Sequence, residues 1–404
     1  MKKMFALLLG IITFSDANAQ WIQSEAPAGY RIWDMTAKDT NCYAAVWTIG
    51  IYRSNDDGLT WSEKNTGLNN LQIKCFDITD VYVYAAGWSV YRSNDQGENW
   101  TEVNNGLTSY YTYSLAHSDT YTYVGSVGGM IFYSADNGDL WNAIPIPGVS
   151  TSVNKLIVLD TMLFAATEGD GIFRTSDNGV HWDQVNNGLT NLSILSFEAS
   201  GNTLYAGTYW DKFFISTDFG ENWINSTGNL PLAPDNTVGT IAVNGSGIFV
   251  GSRRGIYVSQ DQGINWYAIN EGLSGALVYS LEVSGSNLIA GTDGSGIFYR
   301  SLSDIYNYLD IPAPDLSQGF SLSQNYPNPA KSGTTISFTL PCRTHVTLKI
   351  YDRSGFNVAV LADCNLAAGH HEAFFDGDLL PDGIYFYTLT AGPYIQTRKM
   401  VLQR

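Results

Sequence analysis

Positive charge is what this chain has least of. Its 404 residues hold 21 Lys and Arg against 38 Asp and Glu, a formal net charge of −17. Phosphate backbones are held by clustered Lys and Arg, so nucleic acid is excluded as a partner, and docking on bare anionic lipid with it. A solvated acidic surface is the plain reading of the imbalance. Cysteine is scarce as well, confined to Cys42, Cys75, Cys342 and Cys364. No Cys-x-x-Cys pair occurs, and His117, His181, His345, His370 and His371 show no ligand spacing, so neither a metal nor a cofactor is expected. In an exported chain an even cysteine count permits Cys42–Cys75 and Cys342–Cys364 disulfides; the alternative is four small buried apolar side chains. Phosphate loops and nucleophile elbows are missing. No stretch reaches the ~18 apolar residues of a membrane span, so no transmembrane segment is expected. The shorter apolar run Met4–Phe14 follows Lys2 and Lys3 and precedes Ala17-Asn18-Ala19. Those are the parts of a secretory signal peptide, which puts the mature start near Gln20.

What the chain has in quantity is glycine and aromatic residues: 40 Gly, 25 Tyr, 18 Phe and 11 Trp. Aromatics suit a pleated surface and glycines suit many turns, the signature of an all-β protein. One octapeptide recurs six times, as Ser54–Trp61, Ser93–Trp100, Ser134–Trp141, Thr175–Trp182, Ser216–Trp223 and Ser259–Trp266. Its form is Ser/Thr-x-Asp-x-Gly-x-x-Trp. The aspartates Asp56, Asp95, Asp136, Asp177, Asp218 and Asp261 are spaced 39, 41, 41, 41 and 43 residues apart. Alternating strands precede each octapeptide and a short strand follows it, giving four strands per ~40 residues, the content of one propeller blade. The Asp carboxylate and the Ser or Thr hydroxyl suit a tight turn as hydrogen-bond partners, the Gly supplies positive φ, and the Trp buries on the order of 150–250 Å². These aspartates are therefore read as structural; the ligand count of a calcium loop is lacking.

The pattern resembles the Asp-box (BNR) repeat of sialidases, xyloglucan hydrolases, sortilin-like receptors and many exported propellers, over residues 20–301. Six units are complete. A seventh begins near Ala276 and ends at Ser301 without its box, Ser303 standing where the Asp is expected. Trp21-Ile22-Gln23-Ser24 looks like a post-box strand without a box, and pairing it with the last three strands closes the ring. The expectation is a seven-bladed propeller, with six blades as the alternative.

Residues 302–317, with Pro312 and Pro314, read as a linker. Beyond it, strands are predicted at Thr335–Leu340, His345–Tyr351, Asn357–Leu361, Glu372–Phe375, Ile384–Thr390 and Tyr394–Leu402, a small Ig-like β-sandwich over residues 318–404. Asn325-Tyr-Pro-Asn-Pro329, Val346–Asp352, Gly383–Tyr387 and Gln396–Val401 resemble the type IX (Por) secretion C-terminal sorting domain. Ala330 departs from the Phe common after Asn-Pro. The resemblance implies the type IX secretion machinery as a partner, passage through the periplasm and across the outer membrane, and secretion or attachment at the surface.

Propeller ligands bind on the face away from the boxes. The loops there supply Trp47, Trp88, Tyr110, Tyr111, Tyr209, Trp210, Asp211, Lys212, Arg253, Arg254 and Asp293 as candidate binding residues for a glycan or protein. A sialidase needs an arginine triad, and Arg53, Arg92, Arg174 and Arg300 instead recur just before the box, as scaffolding. Glu168 with Asp170 or Asp211 is the candidate carboxylate pair for glycoside hydrolysis. The expectation is a non-catalytic exported binding propeller. The alternatives are a sialidase-like or xyloglucanase-like glycoside hydrolase and a structural component of a surface assembly.

Overall fold

The computed structural model describes residues 20–109, 111–210, 212–231, 237–273, 275–309, 320–340, 344–353, 355–366, 369–378, 380–391 and 394–403. The expected signal peptide, Tyr110, Asp211 and Cys342 lie outside them. Among the described residues of the first unit, seven four-stranded antiparallel sheets follow one another in sequence. Their innermost strands are Ile32–Lys38, Ile73–Ile78, Thr112–His117, Val153–Leu159, Ile194–Ser200, Val238–Asn244 and Val278–Ser284, here blades 1 to 7. Each inner strand packs beside the next and blade 7 packs beside blade 1, which makes a ring.

The seventh sheet is assembled from both ends of the propeller. Its outer strand, Ile22–Gln23, pairs antiparallel with Ile297–Ser301 through Ile22↔Tyr299 and Gln23↔Phe298. Trp21 takes the place of a box tryptophan. It is buried, and its Nε1 donates to Ile269 O of blade 6 at 2.5 Å. Trp100, Trp141, Trp223 and Trp266 reach the preceding blade in the same way, donating to Lys64 O, Val103 O, Val185 O and Ser226 O. In these five blades the tryptophan thus closes its own blade and rivets it to its neighbour, whereas Trp61 Nε1 bonds Gly58 O of its own box.

The box turn is held as its composition predicts, with one addition. In blade 2, Ser93 Oγ donates to Asp95 Oδ1 at 2.7 Å and accepts from Gly97 N at 2.8 Å. Asp95 also accepts from Asn99 N and Nδ2, and these bonds hold its carboxylate down to about pKa 2. The other five boxes repeat the arrangement. The addition is that the residue before the Gly is left-handed too: Asp57, Gln96, Asn137, Asn178, Phe219 and Gln262 have φ between 55° and 59°. Consecutive positive φ values turn a hairpin with the twist of its strands, so Gly alone does not account for the motif.

Arg53, Arg92 and Arg174 donate to Gln96 O, Asn137 O and Phe219 O in the box turn of the next blade, which makes them scaffold. Arg300 does not belong with them. The ladders put Tyr299 opposite Ile289, the place of Arg53 opposite Tyr43, and Arg300 opposite Leu288, the place of the box residue Ser54 opposite Cys42. Arg300 points inward, 1% exposed, and bonds Ile269 O of blade 6.

Two further expectations are corrected. Cys42 and Cys75 are free and buried, on different strands of adjacent blades, Cys42 against Ile32 and Ala44 and Cys75 against Tyr84 and Ala86. They are core side chains, with burial pushing the Cys42 thiol up to about 12. Cys364 is likewise a free thiol, exposed on its strand. The supposed linker begins as a helix, Leu302–Tyr308, whose Leu302, Ile305 and Tyr306 are buried against Phe249 and Leu288.

The second unit is a sandwich of a three-stranded sheet, Ser321–Leu322, Gly333–Leu340 and Gly369–Asp376, and a four-stranded sheet, Asn357–Leu366, Thr344–Tyr351, Gly383–Ala391 and Tyr394–Leu402. Alternate residues of facing strands, such as Ile336, Phe338, Leu348, Tyr387 and Leu389, fill its core. Asn325 is buried and braces the loop: its Nδ2 donates to Thr334 Oγ1 and its amide to Tyr387 Oη. Ala330 is fully buried and pairs with the last strand, its amide donating to Val401 O.

Candidate functional site

The ring encloses a central cavity of about 870 Å³ lined by all seven inner strands. Antiparallel order sets its polarity. Each inner strand starts beside the turn between the second and third strands, and runs from that mouth toward the box face. Just inside the mouth every inner strand bulges, at Ile32/Asp34, Ile73/Cys75, Thr112/Ser114, Val153/Lys155, Ile194/Ser196, Val238/Thr240 and Val278/Ser280. A bulge re-aims side chains. The bulged residues Trp33, Lys74, Tyr113, Asn154, Leu195, Gly239 and Tyr279 all line the cavity.

Aromatic rings gather on one side of this mouth. Trp33 meets Trp47 at 5.5 Å and Tyr279 at 5.7 Å, both edge to face. Trp88 meets Tyr111 at 4.8 Å, and Tyr111 meets Tyr113 at 5.1 Å. Lys74 joins the two groups, its Nζ lying 4.1 Å from the Tyr113 ring, 4.2 Å from Tyr111 and 5.0 Å from Trp33. The Arg31 guanidinium lies over Tyr279 at 4.3 Å and holds Asp293 through both carboxylate oxygens, at 3.2 and 2.8 Å. Cation–π contact within ~6 Å of a ring centroid is attractive, so the rings and both cations form one arc over blades 7, 1, 2 and 3.

Of the residues singled out from sequence, Trp47, Trp88, Tyr111 and Asp293 fall in this arc. Tyr209 and Arg253 line the cavity from blades 5 and 6. Trp210 packs on Tyr209 at 5.5 Å, is 56% exposed and has φ 83°, a left-handed backbone that a bulky side chain rarely adopts. Lys212 Nζ bonds Thr190 Oγ1. Arg254 lies on the turn beside Arg253, its amide donating to Ser252 Oγ. Glu168 is exposed and lines the mouth, whereas the Asp170 carboxylate accepts from Thr151 Oγ1 at 2.7 Å and braces its own turn.

Below the mouth lies a charged layer that loop reading did not find. Lys155 of blade 4 reaches Asp34 of blade 1 at 3.5 Å, a link across the ring, and Asp34 also accepts from Phe76 N at 3.0 Å. Deeper still are Asp77, Glu198 and Glu282, with His117 Nδ1 2.8 Å from Asp77. By blade, the titratable groups of the cavity are Arg31 and Asp34; Lys74, Cys75 and Asp77; Tyr113 and His117; Lys155 and Glu168; Glu198 and Tyr209; Arg253; and Tyr279 and Glu282. Glu198 and Glu282 are only half-buried by exposed area, yet the ring surrounds them. Burial therefore raises both carboxyls, Glu282 well above the carboxylate range with Glu198 and Asp34 adding to the rise. Burial also raises Asp34, and Asp34 in turn holds Lys155 above the usual lysine value. A sequence signal existed. At the Asp34 position the other blades carry Cys75, Ser114, Ser196, Thr240 and Ser280 beside Lys155, so two charges stand out in a column of small side chains. Among the described residues no His, Cys, Asp and Glu group is arranged to hold a metal.

These shifts set the direction of a pH profile. A raised carboxyl contributes stability that is full below its unfolded value and is lost as pH rises through its folded one, and the box aspartates act oppositely. The melting temperature is therefore expected to peak in mild acid. It falls below pH ~4, toward the value of about 2 held by Asp95 and Asp177, and it falls again as pH rises from the unfolded carboxyl value toward the raised folded value of Glu282. Glu282→Gln should flatten the fall on the high-pH side of the peak in a thermal melt series; an unchanged slope there refutes that assignment.

Residues 324–403 match the secretion system C-terminal sorting domain, and residues 109–242 match the DUF6242 beta propeller domain. No curated protein matches the chain. Among solved structures, PorZ of Porphyromonas gingivalis, described as an essential bacterial surface component of the type-IX secretion system, is 15% identical with a TM-score of 0.53. The match covers 95% of this chain and 61% of that one. YCF48 from Cyanidioschyzon merolae is 13% identical with a TM-score of 0.55, covering 70% of this chain and 98% of its own. U3-55K is 12% identical with a TM-score of 0.58, covering 70% of this chain and 99% of its own. At such identities the likeness is one of fold. No helix among the described residues is long and apolar enough to cross a membrane. The chain is a β-propeller protein that ends in a type IX secretion sorting domain, and it is exported to the cell surface or beyond it.

Proposed function

We propose that the propeller is a non-catalytic binding module that holds a glycan or protein at the mouth of its central cavity. The observation that carries this reading is the aromatic arc, in which Trp33, Trp47, Trp88, Tyr111, Tyr113 and Tyr279 stand at one rim. Rigid rings offer large contact area at low conformational cost, for stacking on a sugar or seating a side chain. A glycoside hydrolase built on Glu168 and Asp170 draws no support from the geometry, because Asp170 is held by Thr151. The test is ligand capture on glycan and peptide arrays by the mature chain and by Trp88→Ala. Trp88 is 46% exposed, so its removal should leave the melt unchanged. Its loss is expected to weaken capture about tenfold, as one lost aromatic contact of ~1.4 kcal/mol does. Equal capture by both proteins sinks the reading.

A further inference from the structure

We propose that the ligand at this mouth is a polypeptide that inserts a lysine or arginine side chain into the cavity, its cationic end lying beside Glu198 and Glu282. The inference rests on the binding reading above and names its ligand class. Three observations converge on it.

The first is room. The cavity of about 870 Å³ opens at the aromatic mouth and continues down to the acidic layer, and it is lined at both depths. An extended lysine or arginine side chain fits such a channel with its apolar stem between rings and its charge below. The second is charge complementarity. Asp34 is answered by Lys155 and Asp77 by His117, but Glu198 and Glu282 have no ion-pair partner among the described residues. Glu198 accepts from Ala199 N at 2.9 Å, and Glu282 is met by the neighbouring Val283 amide. Lys155, paired with Asp34, acts on both glutamates from a distance, so one ammonium serves three carboxyl groups and a ligand cation supplies a second. The third is the mouth itself. Its rings already seat two cations from this chain, Arg31 over Tyr279 and Lys74 between Tyr111 and Tyr113. Arg31 is already answered by Asp293, and among the described residues Trp47 and Trp88 seat no cation, so their rings are left for an incoming aliphatic stem. A neutral glycan uses the rings and leaves the two glutamates unanswered.

Entry of a cation favours the ionised form of Glu198 and Glu282, so binding releases protons to solvent wherever either carboxyl is still protonated. The test uses the full mature chain and four blocked tripeptides, acetyl-Gly-X-Gly-amide with X lysine, arginine, norleucine or glutamate, titrated calorimetrically in two buffers of different ionisation enthalpy. The lysine and arginine peptides are expected to bind at least tenfold tighter than the norleucine peptide, with buffer-dependent heat that reports proton release. Glu198→Gln and Glu282→Gln, each first shown to melt cooperatively, are expected to lose about tenfold in affinity for the lysine peptide and to leave the norleucine peptide unaffected. Equal binding of lysine and norleucine peptides overturns the proposal, as does lysine binding that survives both substitutions. A glycan captured in a Trp88-dependent and Glu282-independent way overturns it while leaving the binding reading intact. Capture unaffected by Trp88→Ala removes both.

Discussion

Trp21→Ala is expected to open the ring. The side chain is 2% exposed, its Nε1 bonds Ile269 O, and its amide bonds Glu271 O at 2.8 Å. Removing a buried tryptophan costs about 3–5 kcal/mol through lost transfer energy and the cavity left behind. In a domain of this size that is a fall in melting temperature of about 8–15 °C. The effect should exceed that of an interior core substitution in one respect. The outer strand of blade 7 is Ile22–Gln23 alone, anchored by two paired residues, Trp21 and Ser24, whose Oγ bonds Ile297 O. Without the indole the strand frays, so limited proteolysis near residues 20–26 should appear before global unfolding. Ile22→Ala is the control: Ile22 is 49% exposed, and its loss should change the melt by no more than about 0.5 kcal/mol. Equal melts for Trp21→Ala and wild type would show that the ring closes without this residue.

Lys155→Met is expected to be the second large loss. It removes the cation that faces Asp34 across the cavity and leaves Asp34, Glu198 and Glu282 with none beside them. Breaking a fully dry pair costs about 3–5 kcal/mol. The Lys155 side chain keeps 38% of its exposure, so solvent screening brings the expectation to about 2–3 kcal/mol at neutral pH. The loss should shrink as pH falls, because protonating carboxyls that burial has raised removes their need for a partner. The double substitution Lys155→Met with Asp34→Leu should regain most of the stability, since the buried charge and its partner are then both gone. A loss that is the same at pH 5 and pH 8 would point to packing of the lysine stem instead.

Most of the scaffold was legible because its signals are local. The box needs a hydroxyl, a carboxylate, a Gly and a Trp at fixed offsets within eight residues, and each bond of the turn lies inside that window. The sandwich strands followed from alternation, as at Gly333–Leu340, where every second residue is buried. What was missed depends on register across strands. Arg300 looks like Arg53 along the chain and differs from it by one ladder position, visible only when Leu288 is set opposite it. The helix Leu302–Tyr308 was hidden because a seven-residue segment is too short to show a helical period and is held by the surface it covers. The candidate site was legible only at its rim. Trp47 and Trp88 announce themselves as large rings in turns, whereas Asp34, Lys155, Glu198 and Glu282 sit on inner strands and meet only when seven blades are placed around an axis. The proposed Cys42–Cys75 bridge failed for a related reason: even cysteine arithmetic carries no information about which blade each strand joins.

The composite seventh sheet makes the two ends of the propeller next-door neighbours. Continuing the register of Ile22↔Tyr299 places Trp21 opposite Arg300, in the relation that each box serine bears to its tryptophan. A six-residue box turn bridging those two positions would make the ring covalently endless, and it could then be cut at any other blade. In such a circular permutant the cavity and its mouth stay where they are, while the sorting domain is carried on whichever blade the designer chooses.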